Sequence, residues 1–182
     1  GSFIHTSKQL DVAIEGAGFF EVQMPDGSQS FTRDGSFRRS EDGNLITADG
    51  LLLQPALTIP ADTLEGSINI GADGTVSVRQ EGSTTTTNLG QLQLSRFPNP
   101  AGLDARLGQG LFTETSASGA PVQGNPGETG LGFLRQSYLE NSNVQVVEEI
   151  INMIIAQRAY EANSRVIQVS DEMLQLANNV RR

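Results

Sequence analysis

Short runs of alternating apolar and polar residues, separated by turn residues, fill the chain up to about residue 115. TVSVR (75–79) and QLQLSRF (91–97) alternate as half-buried antiparallel strands do. Asp-Gly pairs separate many of these runs, and they favour hairpin turns because glycine accepts a positive φ. The pairs are Asp26-Gly27, Asp34-Gly35, Asp42-Gly43, Asp49-Gly50 and Asp73-Gly74. We therefore predict a hairpin-rich antiparallel β domain over residues 1–115.

Residues 116–139 interrupt this pattern. The stretch from Ser116 to Gly132, SASGAPVQGNPGETGLG, contains five glycines and two prolines. Because both residue types break regular elements, the stretch predicts an irregular connection. Such a connection cannot pack a core by itself, although its neighbours can order it.

From residue 140 to the end, the hydrophobic period becomes that of a helix. Ser142 and Gln145 have the spacing of a capping box, and no glycine or proline follows them. A helix of about 38 residues, ~57 Å long, is therefore permitted. Its apolar positions follow steps of three and four residues, which is typical of a coiled-coil seam. The predicted assembly seam consists of Val144, Val147, Ile151, Ile155, Ala159, Ala162, Val166, Val169, Met173, Leu176 and Val180.

The predicted helix is too long and too apolar for a small β domain to cover it. The run IINMIIA (150–156) is apolar almost all round and needs cover on several sides. A transmembrane helix is excluded because polar residues, including Glu148, Glu149 and Asn152, interrupt the run. We predict a mainly β fold followed by a long C-terminal α-helix, residues 140–182, which packs against other helices in a coiled-coil-like tube.

The composition argues against several functional classes. The chain has 21 acidic and 12 basic residues, a formal net charge of −9 and a single lysine, so it lacks the clustered cations of nucleic-acid-binding proteins. It has no cysteine and one histidine, His5. Disulfides and thiolate nucleophiles are thereby excluded, and a His-based triad or multi-His metal site nearly so. We expect no enzymatic activity, cofactor or metal.

The segment IEGAGFFEV (14–22) contains the Gly-x-Gly with which many nucleotide-binding loops begin. The dinucleotide fingerprint needs a third small residue three positions later and then a helix. Glu21 occupies that position, and β-favouring residues surround it. We interpret Gly16 and Gly18 as a tight turn between strands, which lets Phe19 or Phe20 enter a β core.

The Asp-Gly pairs leave open an alternative of a different class. Aspartates at neighbouring hairpin ends suit a hard cation such as calcium, although the chain has no D-x-D-x-D-G loop. The alternative is therefore a calcium-dependent β-domain binding module on a coiled-coil stalk. A hydrolase with paired carboxylates has no feature in its favour.

Two long stretches resemble the axial proteins of the bacterial flagellum, the rod and hook family. Residues 10–50 carry V-A-I-x-G-x-G-F-F, then P-D-G, T-R-D-G-S-F and G-x-L-x-T-x-x-G. Residues 137–176 carry S-N-V, M-I-x-x-Q-R-A-Y-E-x-N-S and D-x-M-L. LQPALTIPADT (53–63) and LGQLQLSRFPNPAGL (89–103) are most similar to distal-rod members, with proximal-rod and hook-type members as alternatives. The β-turn signature of this resemblance consists of Gly16, Gly18, Phe19, Phe20, Asp34 and Gly35.

The resemblance implies a structural subunit that self-assembles into a helical tube around a central export channel. It places the chain in the flagellar basal body, in a rod that crosses the periplasm and transmits torque as a drive shaft. The implied partners are copies of the chain itself, neighbouring rod and hook proteins, and the surrounding ring (bushing) proteins, with no nucleic acid and no embedding in a membrane. It further implies export by the flagellar export apparatus. Family members begin with a helix that pairs with the C-terminal one, and we expect that segment to be missing from this chain.

Overall fold

The computed structural model describes residues 2–64, 66–106, 110–141, 155 and 157–161. The chain divides into two compact units, Gly1–Asn141 and Ser142–Arg182. All the strands that the structure describes lie in the first unit. The described residues of the second unit are helical.

Short strands joined by tight turns build the first unit. The described strands are β1 (Phe3–His5), β2 (Val12–Glu15), β3 (Phe20–Gln23), β4 (Gln29–Thr32), β5 (Arg38–Arg39), β6 (Leu45–Ile46), β7 (Leu52–Gln54), β8 (Asn69–Ile70), β9 (Thr75–Arg79), β10 (Thr86–Gln91), β11 (Leu94–Arg96), β12 (Asp104–Arg106), β13 (Leu111–Thr113), β14 (Val122–Gly124), β15 (Phe133–Gln136) and β16 (Tyr138–Glu140). A single turn of 3-10 helix, Pro100–Gly102, lies between β11 and β12.

The described strands pair antiparallel in several small sheets. The largest has the order β12-β13-β4-β3-β7-β6-β5, and a three-stranded sheet has the order β10-β9-β8. Three two-stranded sheets join β1 to β16, β2 to β15 and β11 to β14. In two of these pairs a strand from the start of the unit meets one from its end, with Val12 opposite Gln136 and Ile4 opposite Leu139. The end of the unit therefore closes on its beginning.

Four of the five Asp-Gly pairs form turns with a left-handed glycine. The backbone φ lies between 83° and 86° at Gly27, Gly43, Gly50 and Gly74. At two of these turns the aspartate also accepts a hydrogen bond from a backbone N–H two residues later: Ser28 donates to Asp26 over 2.9 Å and Thr75 to Asp73 over 3.1 Å. The conformation of these four glycines is therefore the one that Asp-Gly turns favour.

A hydrophobic core drawn from distant strands holds the first unit together. Ile14 on β2, Phe20 and Val22 on β3, Leu53 on β7 and Val78 on β9 are each completely buried. Burial of a side chain of this size contributes about 1.5–3 kcal/mol. The positions of β9 show the predicted alternation, since Val76 and Val78 are buried while their neighbours are partly or fully exposed.

The segment 116–139 contributes two strands to the first unit. β14 pairs with β11, where Gln123 lies opposite Ser95, and β15 pairs with β2, where Leu134 lies opposite Ile14. Leu134 is buried in the main core. The neighbours of this glycine-rich and proline-rich segment thus order much of it, and the compact unit ends at Asn141.

The predicted fold class of a β domain followed by a long C-terminal helix is wrong. Beyond Asn141 the structure describes Ile155 and residues 157–161, which are helical and exposed, so the described residues contain no helix of about 38 residues. A heptad seam stabilises a helix mainly through packing of its apolar face, and in the described residues the seam positions Ile155 and Ala159 lack that cover. The described chain is therefore mostly β. The other positions of the predicted helix lie outside the described residues.

Candidate functional site: the signature turn and the Arg33 clamp

The turn between β2 and β3, here called the signature turn (residues 15–19), depends on two glycines. Gly16 has a φ of 122° and Gly18 a φ of 135°, which side-chain-bearing residues rarely adopt. A Cβ on Gly16 would lie 2.9 Å from the Cα of Gly132, and one on Gly18 would lie 3.2 Å from the Leu94 side chain. Backbone conformation and close packing both favour glycine at these positions.

The two phenylalanines after the turn enter different clusters. Phe20 is fully buried in the main core, where its ring meets Phe37 edge-on at 4.9 Å between centroids. Phe19 packs in a separate cluster, edge-on to Phe97 at 5.8 Å and to Phe112 at 5.5 Å. Such edge-to-face pairs contribute about 0.5–1.5 kcal/mol each beyond the burial of their area. The turn therefore anchors two apolar clusters at once.

Asp34 and Gly35 form the fifth Asp-Gly pair, which differs from the other four. The backbone N–H of Ser36 donates to the Asp34 carboxylate over 2.9 Å. The Val12 N–H donates to the Gly35 carbonyl over 3.0 Å. A Cβ on Gly35 would lie only 1.7 Å from the Val12 carbonyl oxygen. Glycine is needed here because another segment of backbone lies against it, and not because of its φ.

Arg33, which the sequence analysis did not single out, holds the signature turn closed. Its guanidinium donates to the carbonyl oxygens of Ile14, Gly16 and Gly18 over 3.2, 3.1 and 3.0 Å. Its Nε donates to Glu140 over 2.8 Å, and its Nη2 lies 2.7 Å from the same carboxylate oxygen. We call Arg33 and these four acceptors the Arg33 clamp. The only sequence signal was an arginine within T-R-D-G-S-F, and its acceptors could not be read from that motif.

The electrostatics of the clamp favour an ionised Glu140. Partial burial raises the pKa of Glu140, but hydrogen bonds and positive charge from Arg33 and from the N-terminal amino group together lower it more, so the pKa lies below its ordinary value. The two side chains are 30% and 21% exposed. Because both are mostly covered, solvent screens this pair less than it screens a pair on the open surface.

A second polar contact joins β14 to β3. Glu21 on β3 is 4% exposed, and its carboxylate accepts hydrogen bonds from the Gln123 amide and, over 3.4 Å, from the Ser95 hydroxyl. Glu21, whose position argues against a dinucleotide-binding loop, is therefore a buried hydrogen-bond acceptor. It links β3, β11 and β14.

Comparison with known proteins identifies the family to which the chain belongs. Residues 13–78 match the family model "Flagellar hook protein FlgE/F/G D1 domain", and residues 135–180 match "Flagellar basal body rod FlgEFG protein C-terminal". The flagellar basal-body rod protein FlgG of Borreliella burgdorferi is 47% identical over all 182 residues, which cover 68% of that protein. The chain belongs to the flagellar basal-body rod protein family. The predicted resemblance is thereby confirmed.

Other relatives extend this match. FlgG of Buchnera aphidicola (Acyrthosiphon pisum) is 49% identical over 96% of the chain and 66% of its own length, and FlgG of Bacillus subtilis is 39% identical over 97% and 67%. The chain thus spans about two thirds of the length of the curated relatives it matches. As a member of this rod family it is a structural protein of the bacterial flagellum, located in the basal body, and it assembles with rod and hook components.

The clamp of this rod-family chain connects the two regions that the family models match. Arg33 and the signature turn lie in the first region, and Glu140 lies in the second. The two residues are 107 positions apart in sequence, and their side chains are in direct contact. The ion pair therefore joins the two recognised parts of the family within one compact unit.

Among the described residues, no group of three or more His, Cys, Asp or Glu side chains is placed to hold a metal ion. No helix in the described part of the chain is long and apolar enough to cross a membrane. His5 packs edge-on against Tyr138, with 5.0 Å between ring centroids.

Two of the eleven predicted seam residues fall within the described chain. Ile155, which is 59% exposed, and Ala159 lie in the short helical stretch of the second unit. The other seam residues lie outside the described residues: Val144, Val147, Ile151, Ala162, Val166, Val169, Met173, Leu176 and Val180.

Proposed function

We propose that the chain is the structural subunit of the distal rod of the bacterial flagellum. Many copies stack helically around the export channel, and the rod crosses the periplasm as a drive shaft. The observation that carries this proposal is the 47% identity to a flagellar basal-body rod protein over the whole chain. The subunit acts by assembly and has no catalytic role.

The geometry of the first unit supports a load-bearing role. Strands from the two ends of the unit pair with each other, and the Arg33 clamp ties Glu140 to the signature turn. A force applied near Asn141 is therefore transmitted into the main core through directional hydrogen bonds. A shaft subunit needs such coupling, because slippage between its segments would dissipate torque.

The proposed partners follow from position in the rod. Each copy contacts other copies of itself, the rod and hook proteins at either end, and the ring proteins within which the rod turns. The chain reaches this place through the flagellar export apparatus. We also propose that seam residues of the second unit contact neighbouring subunits, with the exposed Ile155 as the described example.

Deletion and localisation together test the proposed function. A strain that lacks the gene should be non-motile, with basal bodies whose rods stop short of the distal segment in electron micrographs. The gene with an epitope inserted at the exposed turn around Gly82 should restore motility and place the label on the rod. Rods of normal length in the deletion strain, or a label elsewhere on the basal body, would refute the proposal.

A further inference from the structure

A groove of about 610 Å³ lies on the first unit, and no residue of the clamp lines it. It runs between residues 7–10, the edge strand β5 and a third segment that contributes Thr63, Leu64, Gly66 and Ile68. β5 ends the seven-stranded sheet, so in the described residues no further strand of that sheet covers this side. The groove is therefore open to another molecule at a sheet edge.

The groove has an apolar floor. Phe37 is 3% exposed and belongs to the main core, and Leu10 and Ile68 pack against the same core. Leu64 stands at the margin with 37% of its surface exposed. The floor is therefore rigid because it is the outer layer of the core, and it offers apolar surface to a ligand.

The rim of the groove is basic. Lys8, Arg38 and Arg39 line it, and all three are exposed. They are three of only twelve basic residues in a chain with a net charge of −9. Within the described part of the chain, none of the three forms an ion pair with a carboxylate. Arg38 donates a hydrogen bond to the Ala48 carbonyl.

Protection of a sheet edge explains only part of this arrangement. Charged residues on an edge strand prevent pairing with other strands, and this accounts for Arg38 and Arg39. Lys8 belongs to a different segment, outside any strand, yet it lines the same groove. Convergence of cations from two segments around an apolar floor is typical of a binding surface, which combines a hydrophobic centre with a charged rim.

We propose that this basic groove binds an acidic segment of a second copy of the chain. The inference rests on the proposed function, in which copies of the chain assemble. In a helical assembly each contact is heterologous, so one patch must complement a different patch on the next copy. A basic groove on an otherwise acidic chain meets this requirement, since the next copy presents an excess of carboxylates. Leu64 and the apolar floor exclude water from the centre of the contact.

The test is photocrosslinking in cells that produce the whole protein. The photoreactive residue p-benzoylphenylalanine replaces Leu64, basal bodies are isolated after irradiation, and the crosslinked peptides are sequenced. We expect a crosslink between two copies of the chain, with the acceptor peptide rich in Asp or Glu. The double variant Arg38→Glu/Arg39→Glu should lower the crosslink yield about tenfold, because like charges then face each other.

Arg96→Glu is the matched control, since Arg96 is an exposed arginine on β11 outside the groove. It should leave the yield unchanged. Circular dichroism and the urea midpoint of each purified variant verify that the fold is intact. The proposal is overturned if Leu64 crosslinks to a different protein or to nothing in basal bodies that contain the chain, or if the double variant behaves like the control. In those cases the proposed function still stands, whereas absence of the chain from basal bodies overturns both.

Discussion

Replacement of Arg33 by alanine is the most direct test of the clamp. The substitution removes three hydrogen bonds to the main-chain carbonyls of Ile14, Gly16 and Gly18, together with the ion pair to Glu140. It also removes the guanidinium from its position over the Phe19 ring, 5.9 Å from the ring centroid. The resulting loss of stability therefore measures the clamp together with this cation–π contact.

The magnitude follows from the number and exposure of these contacts. Hydrogen bonds contribute about 1 kcal/mol each on average, and water can partly replace the three carbonyl contacts because the Arg33 side chain is 30% exposed. The ion pair adds up to about 1 kcal/mol. Because the contacts share one side chain, their sum is an upper value, and we expect a total loss of about 2–4 kcal/mol.

Urea denaturation of the whole chain, followed by far-UV circular dichroism, measures this loss. With an m-value of about 2 kcal/mol per molar, a loss of 3 kcal/mol lowers the urea midpoint by about 1.5 M. Arg33→Lys keeps the charge but not the planar five-donor fork, so it should recover only part of the loss. Arg96→Ala, at an exposed arginine outside the clamp, should change stability by less than about 0.5 kcal/mol. If the urea midpoint of Arg33→Ala were indistinguishable from that of Arg96→Ala, the proposed stabilising effect of the clamp would be refuted.

Three further predictions use other contacts. Because the folded pKa of Glu140 is lowered, the ionised side chain stabilises the fold fully above the ordinary pKa of 4.5, and this stabilisation is lost as the pH falls through the folded pKa. The difference in unfolding free energy between wild type and Glu140→Gln, measured by urea titration, should therefore shrink between pH 6 and pH 3. A constant difference would contradict this. Gly35→Ala should lower the unfolding free energy by about 3 kcal/mol or more in the same denaturation assay, because the added Cβ overlaps the Val12 carbonyl. The control Gly27→Ala, with no atom within 4 Å of the added carbon, should lower it by only about 1–2 kcal/mol. Ile155→Asp should reduce incorporation into isolated basal bodies without changing the circular dichroism of the first unit, and normal incorporation would remove Ile155 from the proposed assembly contacts.

The sequence could predict those parts of the fold that local chemistry determines. The left-handed φ of the glycine in four Asp-Gly turns agrees with what the dipeptide predicts, although at Gly43 and Gly74 a distant backbone carbonyl also lies close to the glycine. Alternation predicted which side chains of β9 are buried. The fifth pair looks the same in sequence, but the requirement at Gly35 comes from Val12, which a distant part of the backbone brings into contact.

Features that depend on contacts between distant segments could not be predicted. Nothing near Arg33 in the sequence indicates that Glu140 is its partner, because strand pairing across the whole unit brings the two together. The glycines and prolines of residues 116–139 predicted irregularity, yet Gln123 binds the buried Glu21 and β14 pairs with β11. The predicted helix failed for a related reason, since a heptad pattern specifies an apolar face without specifying what covers it.

The choice of arginine at the centre of the clamp has a mechanical consequence. Apolar contacts are non-directional, so segments held only by the hydrophobic effect can slide past each other at little cost. The guanidinium instead presents several donors in a fixed plane. Here they engage the Ile14 carbonyl of β2, the Gly16 and Gly18 carbonyls of the signature turn and the Glu140 carboxylate of β16 simultaneously. Any relative movement of β16 and the signature turn must break directional bonds in both. Under the proposed rod function, the clamp therefore resists shear at the point where the first unit ends, a resistance that the core alone does not provide.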